Sequence, residues 1–94
     1  MIGWVYILRS DIDVLYVGST DNLRRRMRQH ASGQVSTTKK FTSFKLVFSQ
    51  KFSDIKVARE TEGRIKNLKR RDYLEKIIKD GYIKLARKPS SFNG

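Results

Sequence analysis

Three side chains suited to phosphoryl chemistry lie within one short stretch: the phenol of Tyr16, the guanidinium of Arg26 and the imidazole of His30. Arg26 and His30 are four residues apart, which on a helix puts both on one face. A phosphodiester brought there would meet a fixed positive charge, a proton acceptor and the free N–H groups of a helix start. Two further candidates lie outside the stretch. Tyr6 sits in an apolar run, and Glu62 interrupts an otherwise apolar helical pattern. Each of these residues alone is equally at home as a strand aromatic, a solvated charge or a surface imidazole, so the chemistry rests on their combination.

The elements that must position them follow from periodicity. Residues 4–8 form a nearly continuous apolar run and read as a buried strand. Residues 9–13 are polar and short, suited to a hairpin connection, and residues 14–18 form a second strand. The two strands then pair antiparallel, with Tyr6 and Tyr16 on neighbours. Gly18 stops the second strand and lets the backbone approach a partner closely. Thr20 or Asp21 caps a helix over about residues 21–31, with Leu23, Met27 and Ala31 as its buried seam and Gly33 as its stop. Residues 34–44 are polar and read as an exposed loop, whose Thr37, Thr38, Lys39 and Lys40 are of the types that contact phosphate oxygens. Residues 45–52 form a third strand.

Ser53 and Asp54 open a second helix, with Ile55, Ala58, Ile65 and Leu68 toward the core. Glu62 falls directly on that seam, and an ionised carboxylate is costly to bury unless it is paired or bound to a cation. Asp72 caps a third helix, with Leu74, Ile77 and Ile78 inward and Gly81 as its end. Residues 82–94 form a trailing segment.

Composition limits the functional classes. Ninety-four residues make one domain, 1–94, with a core of about 3–80. There is no cysteine and a single histidine, which excludes disulfides, a thiolate nucleophile and a zinc site built from cysteine and histidine. Freedom from disulfides fits a cytoplasmic setting. The N-terminal apolar run is too short for a signal peptide or a membrane span, so no membrane role is expected. Net charge is +12, from 21 Lys plus Arg against 9 Asp plus Glu, the footprint of a polyanion binder and most often of a nucleic-acid binder.

With Trp4-Val5-Tyr6, then Tyr16-Val17-Gly18 followed by Ser19-Thr20, then Leu23-x-x-Arg26-x-x-x-His30 and Ala58-x-x-x-Glu62-x-x-Ile65-Lys66, the chain resembles the GIY-YIG nuclease superfamily, above all its small single-domain bacterial members. The resemblance covers about residues 3–80. It implies an α/β fold, a three-stranded antiparallel sheet flanked by about three helices. It implies metal-dependent hydrolysis of a nucleic-acid phosphodiester, in DNA repair or processing. Tyr6, Tyr16, Arg26 and His30 take the family's catalytic positions, and Glu62 that of the metal-binding glutamate. Gly18, Ser19 and Thr20 join Lys39 and Lys40 as the expected nucleic-acid contacts. The leading glycine of the first triplet is absent. The asparagine that several members carry beyond the glutamate helix has only Asn67 and Asn93 as candidates, and neither stands at the expected place.

The chemistry expected of this set is that of a Mg²⁺ nuclease, with Mn²⁺ as a substitute. Mg²⁺ commonly binds through one or two carboxylates plus substrate oxygens, so Glu62 can suffice. Arg26 would hold the phosphate in a fork of donors. A phenol has an ordinary pKa near 10, so Tyr6 or Tyr16 needs help to act as the water-activating base. Two readings stand: an endonuclease acting on nucleic acid, most often DNA, with or without a targeting partner protein; and a nucleic-acid-binding module that kept the fold without turnover.

Overall fold

The structure is a computed structural model and describes residues 1–33 and 43–83. The expected loop residues Lys39 and Lys40, and Asn93, lie outside the described residues. Strand β1 (Gly3–Ser10) is the central strand of a three-stranded antiparallel sheet of order β2-β1-β3, with β2 (Leu15–Thr20) and β3 (Phe44–Phe52) at its edges. Helix α1 (Leu23–Ala31) follows β2, and α2 (Ile55–Leu68) and α3 (Arg71–Asp80) follow β3. The three strands and three helices are those read from the periodicity, with shifted ends.

The sheet has two unlike faces. On one, Val5, Ile7, Val17 and Phe48 pack against Ile55, Ala58 and Ile65 of α2 and Ile77 of α3. This is the apolar core. The other face carries Tyr6, Leu8 and Tyr16, and α1 lies there, because its His30 packs on both tyrosines. A β-bulge adjusts β3 to both faces. Ile7 pairs with Phe48 but Leu8 pairs with Leu46, so Val47 is the extra residue. Without the bulge, alternation would send Leu46 and Phe44 to the core face with Phe48. With it, Phe44 arrives beside His30, at 5.8 Å between ring centroids.

Several end points differ from the sequence expectation, each for a local reason. Gly18 does not end β2, which stays paired with β1 out to Thr20. Asn22, not Thr20 or Asp21, is the N-cap of α1: its side chain accepts from the Arg25 N–H, while Asp21 pairs with the Arg25 guanidinium at 2.6 Å. The expected seam of Leu23, Met27 and Ala31 is only half-buried or exposed, and the one buried residue of α1 is His30. In α2, Asp54 caps as expected, but Leu68 is exposed and Thr61 occupies the seam, its hydroxyl donating to the Val57 carbonyl at 2.8 Å. Asp72 lies in the first turn of α3 without capping it, and Arg70 is the N-cap. Gly81 ends α3 in the left-handed conformation, at φ 83°.

The β1–β2 turn contains no glycine and places Asp13 at φ 63°. Ion pairs steady it from outside. Arg9 contacts Asp13 at 2.7 Å and Glu75 at 2.8 Å, while Arg71 contacts Glu75 and Asp13, both at 3.0 Å. These bonds tie the turn to the start of α3 and hold Asp13 and Glu75 below the usual carboxylate range. No helix among the described residues is long and apolar enough to cross a membrane.

Two glycines give opposite expectations. A Cβ on Gly3 would lie 2.5 Å from the Ile55 Cα and 2.9 Å from the Ala58 Cβ, so Gly3 is where α2 closes on β1. Gly3→Ala should cost about 1–3 kcal/mol by overpacking. A Cβ on Gly63, inside α2, meets nothing within 4 Å. Gly63→Ala should stabilise by about 0.5–1 kcal/mol, the helix-propensity gain. Urea unfolding of both variants checks the pair, and equal midpoints would contradict this packing.

Candidate active site

The candidate site is built around an aromatic box on the α1 face. His30, 2% exposed, meets Tyr6, Tyr16 and Phe44 edge-on, with ring centroids 5.6, 5.3 and 5.8 Å away. The Tyr6 hydroxyl lies 2.8 Å from His30 Nε2. Tyr6 is fully buried, whereas Tyr16 on the edge strand is half-exposed. Burial, more than any neighbouring charge, pushes the Tyr6 phenol well above its ordinary range; Tyr16 and Glu62 add to this and Arg26 opposes it. Burial, seconded by the charge of Arg26, pushes the His30 imidazole below its ordinary 6.5. Both shifts favour neutral partners, and with the imidazole proton on Nδ1 the phenol donates to Nε2.

Gly18 makes the box possible. It pairs with Tyr6 across β1 and β2, and a Cβ there would lie 2.5 Å from the Tyr6 hydroxyl and 3.1 Å from the Tyr16 ring. The phenol therefore crosses the edge strand where the chain has no side chain. At that edge it feels charges from both helices, Arg26 on α1 and Glu62 on α2. Arg26 is half-buried and has no carboxylate partner among the described residues, and its buried Nε has no hydrogen-bond acceptor. Such an orphaned charged donor is costly unless an anion completes it.

Glu62 departs from the sequence picture of a carboxylate buried in the seam. Its side chain is 20% exposed at the seam margin, and both oxygens have partners. Oε1 accepts from the Ser19 hydroxyl, and Oε2 lies 2.6 Å from Lys66 Nζ. The Lys66 ammonium is also 5.8 Å from the Tyr16 ring centroid. A groove of about 520 Å³ runs beyond this point, lined by Tyr16, Val17, Ile65, Lys66, Lys69 and Arg71 among others.

The other expected contacts divide. Ser19 is on the α2 face and bonds to Glu62. Thr20, expected to touch nucleic acid, is 3% exposed, and its hydroxyl is engaged with the backbone N–H and carbonyl of Asn22, so it closes the turn into α1 instead. Gly18 is buried under the Tyr6 hydroxyl. The box wall Phe44 and the Glu62 partners Ser19 and Lys66 were not legible as a set. Only the i, i+4 spacing of Glu62 and Lys66 was available as a signal.

No group of three or more His, Cys, Asp and Glu side chains that could enclose a metal is found among the described residues. Glu62 and the Ser19 hydroxyl are oxygen ligands, of the kind that suits a hard divalent cation completing its shell with water and phosphate oxygens, while the Lys66 ammonium stands at Oε2. The residues present fit such an ion through Glu62.

Fold and site together define an α/β domain in which a central-strand tyrosine bonds to a helix histidine and its phenol is acted on by an arginine and a glutamate from two different helices. The chain belongs to the GIY-YIG catalytic domain family, whose profile matches residues 2–78. That family is a superfamily of nucleases, enzymes that hydrolyse phosphodiester bonds. The chain is similar to UPF0213 protein OB0043 of Oceanobacillus iheyensis, 36% identical over 75 residues that cover 79% of this chain and 87% of the relative. It is also similar to UPF0213 protein YhbQ of Escherichia coli, 32% identical over 83 residues, covering 86% and 82%. The solution NMR structure of UPF0213 protein BH0048 from Bacillus halodurans superimposes with a TM-score of 0.56 at 32% identity, covering 86% of this chain and 87% of that one.

His30 makes stability depend on pH. Its folded pKa lies below the unfolded value of 6.5, so the unfolded chain binds more protons as pH drops below that value. The stabilising contribution is complete above about 6.5 and lost toward the depressed folded pKa. Melting curves of wild type and His30→Gln, taken from roughly pH 8 to pH 5, should therefore converge as pH falls. A gap that stays constant with pH would show that His30 is not held neutral by the fold.

Proposed function

We propose that this protein is a metal-dependent endonuclease that hydrolyses a phosphodiester in nucleic acid, with DNA undergoing repair or processing in the cytoplasm as its setting. The observation that carries the reading is the half-buried Arg26, whose Nε has no acceptor among the described residues, close enough with Glu62 to act on the Tyr6 phenol that bonds to His30. A scissile phosphate seated there supplies the acceptor that the Arg26 Nε lacks. The +12 charge supplies the sequence-independent attraction to the polyanion.

Tyr16 is the phenol with exposed surface, while Tyr6 and His30 lie behind it. In this reading Tyr16 receives a proton from the attacking water as its own passes inward, from Tyr6 to His30 Nε2. The hydroxide forms a bond to phosphorus as the bond to the leaving oxygen breaks. His30 is neutral and able to accept, and Arg26 nearby keeps the imidazolium short-lived, so the proton is returned readily. Glu62 would hold Mg²⁺ or Mn²⁺, and the ion supplies Lewis-acid stabilisation of charge on the phosphoryl oxygens. Ser19 fixes the direction of the Glu62 carboxylate from β2.

The test uses labelled duplex, flap, junction and single-stranded oligonucleotides with Mg²⁺, Mn²⁺ or chelator. Arg26→Ala should lose about a hundredfold to a thousandfold in rate and also bind more weakly, because the guanidinium acts on both ground and transition states. Glu62→Gln should lose a similar factor in rate with metal-free affinity unchanged or slightly raised. Wild-type cleavage by Glu62→Gln would make the carboxylate structural. Tight binding by wild type with no cleavage of any oligonucleotide would make the protein a binding module.

A further inference from the structure

We propose that Lys66 is a place-holding cation, which occupies the Glu62 carboxylate in the free protein and must leave it before a divalent metal can load. The proposal rests on the reading of Glu62 as the metal ligand. It assigns a positioning role to a residue that the mechanism above does not use.

The Glu62 carboxylate is oriented from two sides. Ser19 on β2 donates to Oε1, which directs Oε2 toward Lys66, and the ammonium lies 2.6 Å from that oxygen. A metal on Oε2 with the ammonium still in place would set two cations within a few ångströms of each other, where they repel. The carboxylate therefore serves one cation or the other. Lys66 also has somewhere to go. Its nitrogen is already 5.8 Å from the Tyr16 ring centroid, a contact of the cation–π type. The groove beyond, with Lys69 and Arg71 on its wall, is where a phosphate would draw the ammonium away from Glu62.

An isolated i, i+4 pair on a helix surface would not have these companions. Here the same carboxylate acts with Arg26 on the Tyr6 phenol, and with no cluster of three or more metal-ligating side chains among the described residues, its occupancy decides whether the metal is held. The arrangement keeps Glu62 neutralised at the strand edge while the site is empty of substrate, and makes metal loading follow the arrival of a phosphate.

The experiment is a Mn²⁺ titration of the nucleic-acid-free protein, followed by the electron paramagnetic resonance signal of free Mn²⁺. It compares wild type, Lys66→Met, Lys69→Met, Glu62→Gln and the Glu62→Gln/Lys66→Met double variant. Methionine keeps the length and helix propensity of lysine, and Lys66 is half-exposed, so the fold tolerates the change. Lys66→Met should bind Mn²⁺ about twofold to fivefold more tightly than wild type, the worth of one such ion pair. Lys69→Met, which removes the same charge without touching Glu62, should stay at the wild-type value. The double variant should bind no better than Glu62→Gln. Equal tightening by Lys69→Met would mean general electrostatics and overturns the proposal. Glu62-dependent Mn²⁺ binding that Lys66→Met leaves unchanged overturns it while the metal role of Glu62 stands. Mn²⁺ binding that Glu62→Gln does not weaken in either background overturns both.

Discussion

The candidate site depends on the passage of the Tyr6 phenol over Gly18. Any side chain at that position would collide with the hydroxyl, so the edge strand must carry a glycine where the central strand carries the tyrosine. The passage takes the hydroxyl to the β2 edge of the sheet, where a group on α1 and a group on α2 act on the same phenol. Arg26 and Glu62 are attached to opposite faces, yet both shift the same phenol. An edge strand is normally a liability because its backbone groups are unpaired. Here the β2 edge is also a place where residues from the two layers can act together without a passage through the core.

The two faces divide the labour of the molecule. The α2 face holds the apolar core, and a domain of this size has area for little more than one such core. The α1 face is held by rings instead: His30 is the one buried residue of its helix and sits among three aromatics. Edge-on contacts and a hydrogen bond to Tyr6 fix the imidazole, and the resulting desolvation pushes it toward the uncharged form. The group that anchors α1 is therefore also the group able to take a proton. In the proposed mechanism stability and chemistry draw on the same side chain, and a replacement that served one would not serve the other.

The basic residues have different tasks despite their number. Arg9 and Arg71 are paired into the network that ties the β1–β2 turn to α3. Arg25 is paired locally with Asp21. Lys66 is paired with the carboxylate at the strand edge, and Arg26 has no carboxylate partner among the described residues. In a chain of net charge +12 the informative cation is the half-buried one without a carboxylate among the described residues, because none of them offsets the desolvation it has undergone.

Much of this was determined by the sequence itself. Strand and helix periodicities follow from local side-chain spacing, so three strands and three helices were legible, as was the family pattern of two tyrosine triplets, Arg26, His30 and Glu62. The Asp54 cap and the Gly81 stop are likewise local, each a side chain or backbone geometry acting within one turn. The site features that differed depend on groups distant along the chain. His30 is buried because a box of rings from β1, β2 and β3 surrounds it, and Phe44 joins that box only through a bulge at Val47, which no pattern along one strand announces. Glu62 is at the seam margin because Ser19, on a strand over forty residues earlier, accepts the role of its partner. The sequence determined which groups the protein possesses. Tertiary packing alone decided which of them lose water and which face each other, since desolvation and charge pairing depend on neighbours in space.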